Sequence, residues 1–189
     1  MPFVALRARS LSPRPSFRRG KATFPLVALF GIGALACAPA ALAATYSLAN
    51  GAVQFSAPDV WPMLMEKLNG PRQFVAVQVK DPGAPQSLAR ITVTTEQVDG
   101  VQGFQKFLTA GTARARKLPG YVADTASGGS SSLRYTASEN HAKNAYDEVY
   151  AYRANLAIQV RCIRPVSAPP DWIATFDAGC RAIVTAVEK

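Results

Sequence analysis

The sequence predicts an α+β domain in which a mainly antiparallel sheet of about seven strands is covered by helices. Three observations lead there. Stretches of apolar/polar alternation recur between residues 45 and 165, several of them joined by short turn-forming segments, the pattern of antiparallel neighbours. Between and after them lie segments whose apolar residues recur at three- and four-residue steps. Setting aside an N-terminal export segment leaves 146 residues, which suits one domain with a sizeable core.

The export segment comes first. Residues 1–21, MPFVALRARSLSPRPSFRRGK, hold five Arg, one Lys and no acid. The run ATFPLVALFGIGALACAPAALA follows and ends in small residues, with Ala41-Leu42-Ala43 before Ala44. A basic n-region, a short apolar h-region and an A-x-A box make a secretory signal peptide, cleaved between Ala43 and Ala44. The run is shorter than the roughly 20 residues of a spanning helix, and Pro25 and Pro39 interrupt its ends. Arg18-Arg19 lacks the Phe-Leu of a twin-arginine export signal and reads as n-region charge. Cys37 is the competing processing site, as a lipidation cysteine. Ala34 stands where a lipobox prefers Leu, so the box at 41–43 is the better formed. The expectation is a signal peptide over 1–43, then one periplasmic or extracellular domain over 44–189 with no membrane span.

That division changes the meaning of the charge. The whole chain carries +9 with a pI near 9.8, values that suggest a nucleic-acid binder. Six of its 21 basic residues lie in the leader, leaving fifteen against twelve acids. The densest remaining cluster, Arg114, Arg116 and Lys117, falls at a predicted helix end, where cations suit the helix dipole. No nucleic-acid partner is expected.

The elements follow in order. TYSLANGAVQFS is two alternating runs around Asn50-Gly51, a hairpin signal. APDVWPMLMEKLNG predicts a short helix opening near Pro58-Asp59 and closing at Asn69-Gly70, with Pro62 tolerated in its first turn. RQFVAVQVK and LARITVTTEQV are strands. A helix over VQGFQKFLTAGTARARKL carries Val101, Phe104, Leu108, Ala115 and Leu118 on one stripe, interrupted by Gly111, and Pro119-Gly120 stops it. YVADT reads as an extra strand. SSLRYTAS, AYDEVYAYR and NLAIQVRCI are three more, with ENHAKN connecting the first two and placing His141 in a loop. The C-terminal segment repeats Trp172, Ile173, Phe176, Cys180, Ile183, Val184 and Val187 at helical spacing, with Asp171 in its first turn.

Cys162 and Cys180 both fall on apolar faces, one of a strand and one of the C-terminal helix. Two cysteines in an exported chain predict a disulfide, worth roughly 3 kcal/mol for a loop of this length. A redox pair would favour Cys-x-x-Cys spacing and exposure, and a metal site would need more ligands than the single His141 adds.

This layout resembles the PsbP/DcrB-like fold: an opening hairpin, Phe55, Pro58 and Trp61 leading into a short helix, a middle helix after two strands, and a helix at the end. The resemblance spans residues 45–188. It implies a binding or assembly module without shared catalytic residues, so it transfers no site.

Ser130, Ser131 and Ser132 follow Gly128-Gly129 without a G-x-S-x-G elbow; a dyad with His141 is the weakest of the functional readings. Asp147 and Glu148 are adjacent on a strand and point to opposite faces, a poor acid/base pair. No phosphate loop, metal motif or cofactor signature occurs. The distinctive feature is a tyrosine face: Tyr146, Glu148, Tyr150 and Tyr152 share one side of a strand and Tyr135 can stand beside them. It reads either as core edge beneath a helix or as an aromatic partner surface. The expected function is a non-catalytic accessory domain with a protein partner, as in envelope or assembly factors or immunity-type proteins. The alternative is a small-molecule or lipid binder with a pocket beneath the middle helix.

Overall fold

The computed structural model describes residues 43–81, 83, 88–125 and 131–189. Strands β1 (Ala43–Leu48) and β2 (Val53–Pro58) form a separate antiparallel hairpin, in register from Ala43 opposite Pro58 to Leu48 opposite Val53. The chain reverses at Ala49, Asn50 and Gly51, which hold φ values of 51°, 55° and 89°. Asn and Gly tolerate that left-handed region best, which is why Asn50-Gly51 marks the turn.

Seven strands make the main sheet: β3 (Met63–Lys67), β4 (Arg72–Gln78), β5 (Arg90–Gln97), β6 (Val122–Ala123), β7 (Ser132–Glu139), β8 (Ala142–Arg153) and β9 (Leu156–Pro165). Their order is β3-β4-β5-β9-β8-β7-β6, and every neighbouring pair is antiparallel. Helix α1 (Gly100–Arg116) leads from β5 to β6, and α2 (Pro170–Glu188) closes the described chain. The α+β class and the strand count are as the sequence predicts. The extra strand expected at YVADT shrinks to Val122 and Ala123.

One predicted element is wrong. The segment expected as a helix after Pro58 is the edge strand β3, paired with β4, and Gln78 N–H donates to Pro62 C=O at 2.9 Å. An apolar stretch this short between Pro62 and Asn69-Gly70 suits either state by pattern. A helix of that length gains little by itself, whereas the free edge of β4 offers a ladder of hydrogen bonds. The register shifts between Met63 and Met65, a bulge at Leu64. Two helices therefore cover the sheet, and the hairpin β1–β2 takes the place of the third.

The main core lies on the α2 face. Val75, Val77, Ile91, Val93, Ile158 and Val160 meet Phe176, Ile183 and Val187 of α2, with Leu48, Val53 and Phe55 of the hairpin filling beside them. Cys162 and Cys180 join there in a disulfide, with Cα atoms 6.2 Å apart, as expected from their faces. The N-terminus of α2 holds Asp171 in its first turn, as expected. Pro169 occupies the N-cap and no side chain caps it, so Asp171 contributes only its charge to the first turn.

Two glycines mark close approaches. A Cβ on Gly179 would stand 2.1 Å from the Trp61 ring, so α2 receives Trp61 in a glycine notch. A Cβ on Gly111 would stand 2.2 Å from Tyr150 Oη, so the gap in the α1 apolar stripe is the seat of Tyr150. Gly111→Ala is accordingly expected to destabilise by about 1–3 kcal/mol through overpacking. Urea denaturation of Gly111→Ala, Tyr150→Phe and the double variant checks it. The Ala penalty should shrink when the hydroxyl is gone, and an unchanged penalty would contradict the contact.

Candidate functional site

Beneath α1 the sheet presents a polar inner layer instead of a second apolar core. The antiparallel registers place Tyr146, Glu148 and Tyr150 of β8 opposite Ile163, Arg161 and Gln159 of β9, with Tyr135 of β7 opposite Tyr146. Glu148 is 1% exposed and sits at the centre. Its Oε1 accepts from Tyr135 Oη at 2.7 Å, and its Oε2 accepts from Tyr150 Oη at 2.5 Å and Gln159 Nε2 at 2.7 Å. Arg161 Nε lies 2.9 Å from Glu148 Oε1, an ion pair whose angle does not make a hydrogen bond. Arg161 Nη2 instead donates to Tyr135 Oη at 3.4 Å, and its guanidinium lies 5.2 Å from the Tyr146 ring centre. A second carboxylate extends the layer: Glu139 accepts from Tyr146 Oη at 3.1 Å and from Arg90 at 2.8 Å.

Aromatic rings seal this layer. Tyr135 and Tyr146 stack at 4.5 Å, Tyr121 packs on Tyr135 at 5.1 Å, and Phe107 of α1 meets Tyr150 edge-on at 6.0 Å. Tyr135, Tyr146 and Tyr150 are each no more than 3% exposed. The five residues grouped from the sequence thus share one face, but four of them are buried and form no surface for a partner. Tyr152 alone is half-buried, its ring against Phe104 and its hydroxyl donating to Asn155 Oδ1 at 2.8 Å. Alternation reveals which side chains share a face; what covers that face is a tertiary fact. The arrangement is chemically closed, because the carboxylate's two oxygens are both occupied by protein donors.

Electrostatics agree with that closure. Burial, then the charge of Glu139 and its hydrogen bond, push the Tyr146 hydroxyl up to about 12. Burial followed by the charge of Glu148 pushes Tyr135 and Tyr150 higher still. For Arg161, burial disfavours the charge, but Glu148 and Tyr135 outweigh it and the net shift is upward. Hydroxyls held protonated above their ordinary 10.0 mean that the folded chain binds more protons than the unfolded chain in that range. The stabilisation is complete below pH ~10 and is lost as pH rises through the folded values. Tyrosine absorbance at 295 nm, followed together with circular dichroism, should show these three ionising only as structure is lost. Ionisation of all six tyrosines near pH 10 in an intact fold would contradict the buried layer.

Among the described residues, neither Ser131 nor Ser132 is brought to His141. Asn140 and His141 form the two-residue turn between β7 and β8, with φ values of 51° and 64°. Ser132 begins β7 opposite Val149, and Glu139 ends it opposite Ala142. Ser131 and Ser132 therefore lie at one end of the hairpin and His141 at the other, about 23 Å apart at strand rise. Ser130 lies outside the described residues, as does Cys37.

The longest run of exposed apolar side chains lies at β3. Met63, Leu64, Met65 and Leu68 are 39–53% exposed, and Val60 just before them is 76% exposed. This strand is the sheet's outer edge, hydrogen-bonded only to β4 within the sheet. Sequence reasoning missed it by assigning the segment to a helix. The one signal present was Pro62, a residue that sheets confine to edge strands and strand starts.

The fold and this edge define the class: a disulfide-bonded antiparallel α+β domain with helices on both sheet faces and an apolar edge strand, β3, paired on one side among the described residues. No protein-family description matches the chain, and no curated protein does. Solved structures similar to it include LpqN of Mycobacterium tuberculosis, described as involved in cell envelope biogenesis, at 21% identity and a TM-score of 0.36, covering 67% of this chain and 76% of LpqN. Another is the PsbP of Synechocystis, CyanoP, at 11% identity and a TM-score of 0.42, covering 80% of this chain and 96% of that one. CyanoP is a PsbP, the family whose layout the sequence resembles. At these values neither likeness bears on what the chain does.

Proposed function

We infer that this chain is an exported, non-catalytic accessory domain that binds a protein partner, and that the partner adds an extended apolar segment to β3. The observation that carries this reading is the open edge itself. An uncovered strand presents unpaired backbone groups, and proteins ordinarily protect such edges with charge, proline or cover. The edge carries Pro62, a bulge at Leu64 and the charges of Glu66-Lys67, yet Met63, Leu64 and Met65 stay exposed beside them. An extended polypeptide is the occupant whose chemistry matches, since its own backbone completes the ladder and its alternate side chains meet the exposed Met and Leu. The buried disulfide supports an oxidising compartment, and β1 starts at Ala43, so processing between Ala43 and Ala44 leaves the hairpin paired.

A photo-crosslinking residue in place of Leu64, in the full chain expressed in its own cells, tests the reading. One partner should be captured, through an extended segment of that partner, and capture should fall at least tenfold on adding Met65→Lys. The same residue at the exposed Thr185 of α2 should not capture it. Equal capture from both positions, capture that survives Met65→Lys, or crosslinks only to a second copy of the chain would overturn it.

A further inference from the structure

At the end of the sheet away from β3, a cleft of about 310 Å³ opens between the flank of α2 and strands β7, β8 and β9. It lies on the disulfide face of the sheet, beyond the area that α2 covers. Phe176, Ala145 and the Cys162–Cys180 disulfide supply its apolar wall. Its charged lining holds Arg134, Arg164 and Arg181 together with Asp124, Asp147 and Asp177.

The groups are unevenly satisfied. Arg164 donates through Nε and Nη2 to the two oxygens of Asp177 at 2.9 and 3.3 Å, a two-point pair. Arg134 Nε donates to Asp147 Oδ2 at 3.1 Å. The other oxygen of Asp147, Oδ1, is buried and has no hydrogen-bond partner among the described residues. Arg181 makes no ion pair among the described residues. A buried acceptor without a donor is unfavourable until something supplies one. The cleft therefore presents the partly exposed Asp147 carboxylate, whose inner oxygen is unmet, an uncommitted cation and an apolar wall.

We propose that this cleft binds a small zwitterion of the amino-acid or dipeptide class. Its ammonium group donates to Asp147, its carboxylate pairs with Arg181 and the unused edge of Arg164, and an apolar side chain lies against Phe176 and the disulfide. Charge balance selects this class. A simple anion would meet three carboxylates and a simple cation three guanidinium groups, whereas a molecule carrying both signs complements the lining. The volume sits at the lower end of the ~300–1,000 Å³ range of small-molecule sites, which suits a dipeptide better than a drug-sized ligand. Planar guanidinium groups also suit a carboxylate because they can engage it at two points. The site is separate from β3, so it stands or falls independently of the partner reading.

Calorimetric titration of the protein purified from its own host with the dipeptide L-alanyl-L-leucine tests this. The free dipeptide should bind saturably at a single site, and acetylating its amine or amidating its carboxylate should each weaken binding tenfold or more. Arg181→Ala, a change at an exposed position on α2, should weaken the free dipeptide about tenfold. It should leave the carboxamide, which has no carboxylate to pair, unaffected. Asp147→Asn should abolish the preference for a free amine, with circular dichroism confirming that the variant folds. No saturable binding at millimolar concentration, equal binding of blocked and free forms, or an Arg181→Ala variant that binds like the parent would overturn the proposal.

Discussion

Replacing Glu148 with Ala is expected to destabilise the fold by about 3–5 kcal/mol, the largest single-residue effect foreseen for this chain. Its side chain occupies the centre of the layer under α1, where two tyrosine hydroxyls, Gln159 and Arg161 all converge on it. Removing the carboxylate leaves the Arg161 guanidinium largely buried without its counter-charge and strands three donors whose acceptor has gone. The cost is mostly that of uncompensated groups, so it exceeds the net worth of the pair itself. Denaturant unfolding checks the number, and a second construction separates the terms. Glu148→Leu combined with Arg161→Met removes both charges and should recover much of the lost stability. A single Glu148→Ala change costing under about 1 kcal/mol would show that the layer is hydrated and worth little.

Breaking the Cys162–Cys180 link is expected to cost about 2–4 kcal/mol, because the 18-residue separation it closes is freed in the unfolded chain. Both sulfurs lie in the main core, at 2% and 4% exposure, so the cleaner variant is the double Cys162→Ala, Cys180→Ala change, which puts no hydroxyl into the core. Thermal melts of the parent with and without reductant, beside the double variant, measure the effect. The reduced parent and the double variant should melt together, several degrees below the oxidised parent. Coincident melts of all three would mean that the staple contributes nothing beyond packing. A domain that depends on this bond reaches full stability only where disulfides persist, which is the compartment the N-terminal segment predicts. Since the disulfide also lines the cleft beside α2, its loss should weaken dipeptide binding there as well.

Most elements were legible in the sequence because their signals are local. Asn50-Gly51 reverses the chain by its backbone preference, and the β8 and β9 alternations assign faces without reference to a partner. The α2 stripe places Cys180 on the buried side beside Phe176 and Ile183, and that alone points it at a strand face carrying Cys162. The stripe on α1 was legible too, including its fault at Gly111, whose reason was not. Only the approach of Tyr150 explains a glycine at that position.

The candidate site was much less legible. The tyrosine face was found, but the choice between core edge and partner surface was made by α1, a helix whose own sequence does not name the strands it crosses. The open edge was missed because the short run Met63-Leu64-Met65 carries no period long enough to separate helix from strand. The cleft joins residues of β7, β8, β9 and α2 that are scattered between positions 134 and 181, and no spacing rule relates them.

By itself, then, the sequence determined the α+β class, the antiparallel strands, both helices, the pairing of the two core cysteines and the residues sharing the Glu148 face. Those are properties of backbone preference and of periods within one segment. The tertiary structure alone decided that Pro62–Lys67 joins β4 as an edge, that the tyrosines are sealed under α1, and that Asp147 and Arg181 meet at one cleft. Each of these depends on which surfaces compete for a given segment, and that competition is settled by burial and hydrogen-bond satisfaction summed over the whole domain.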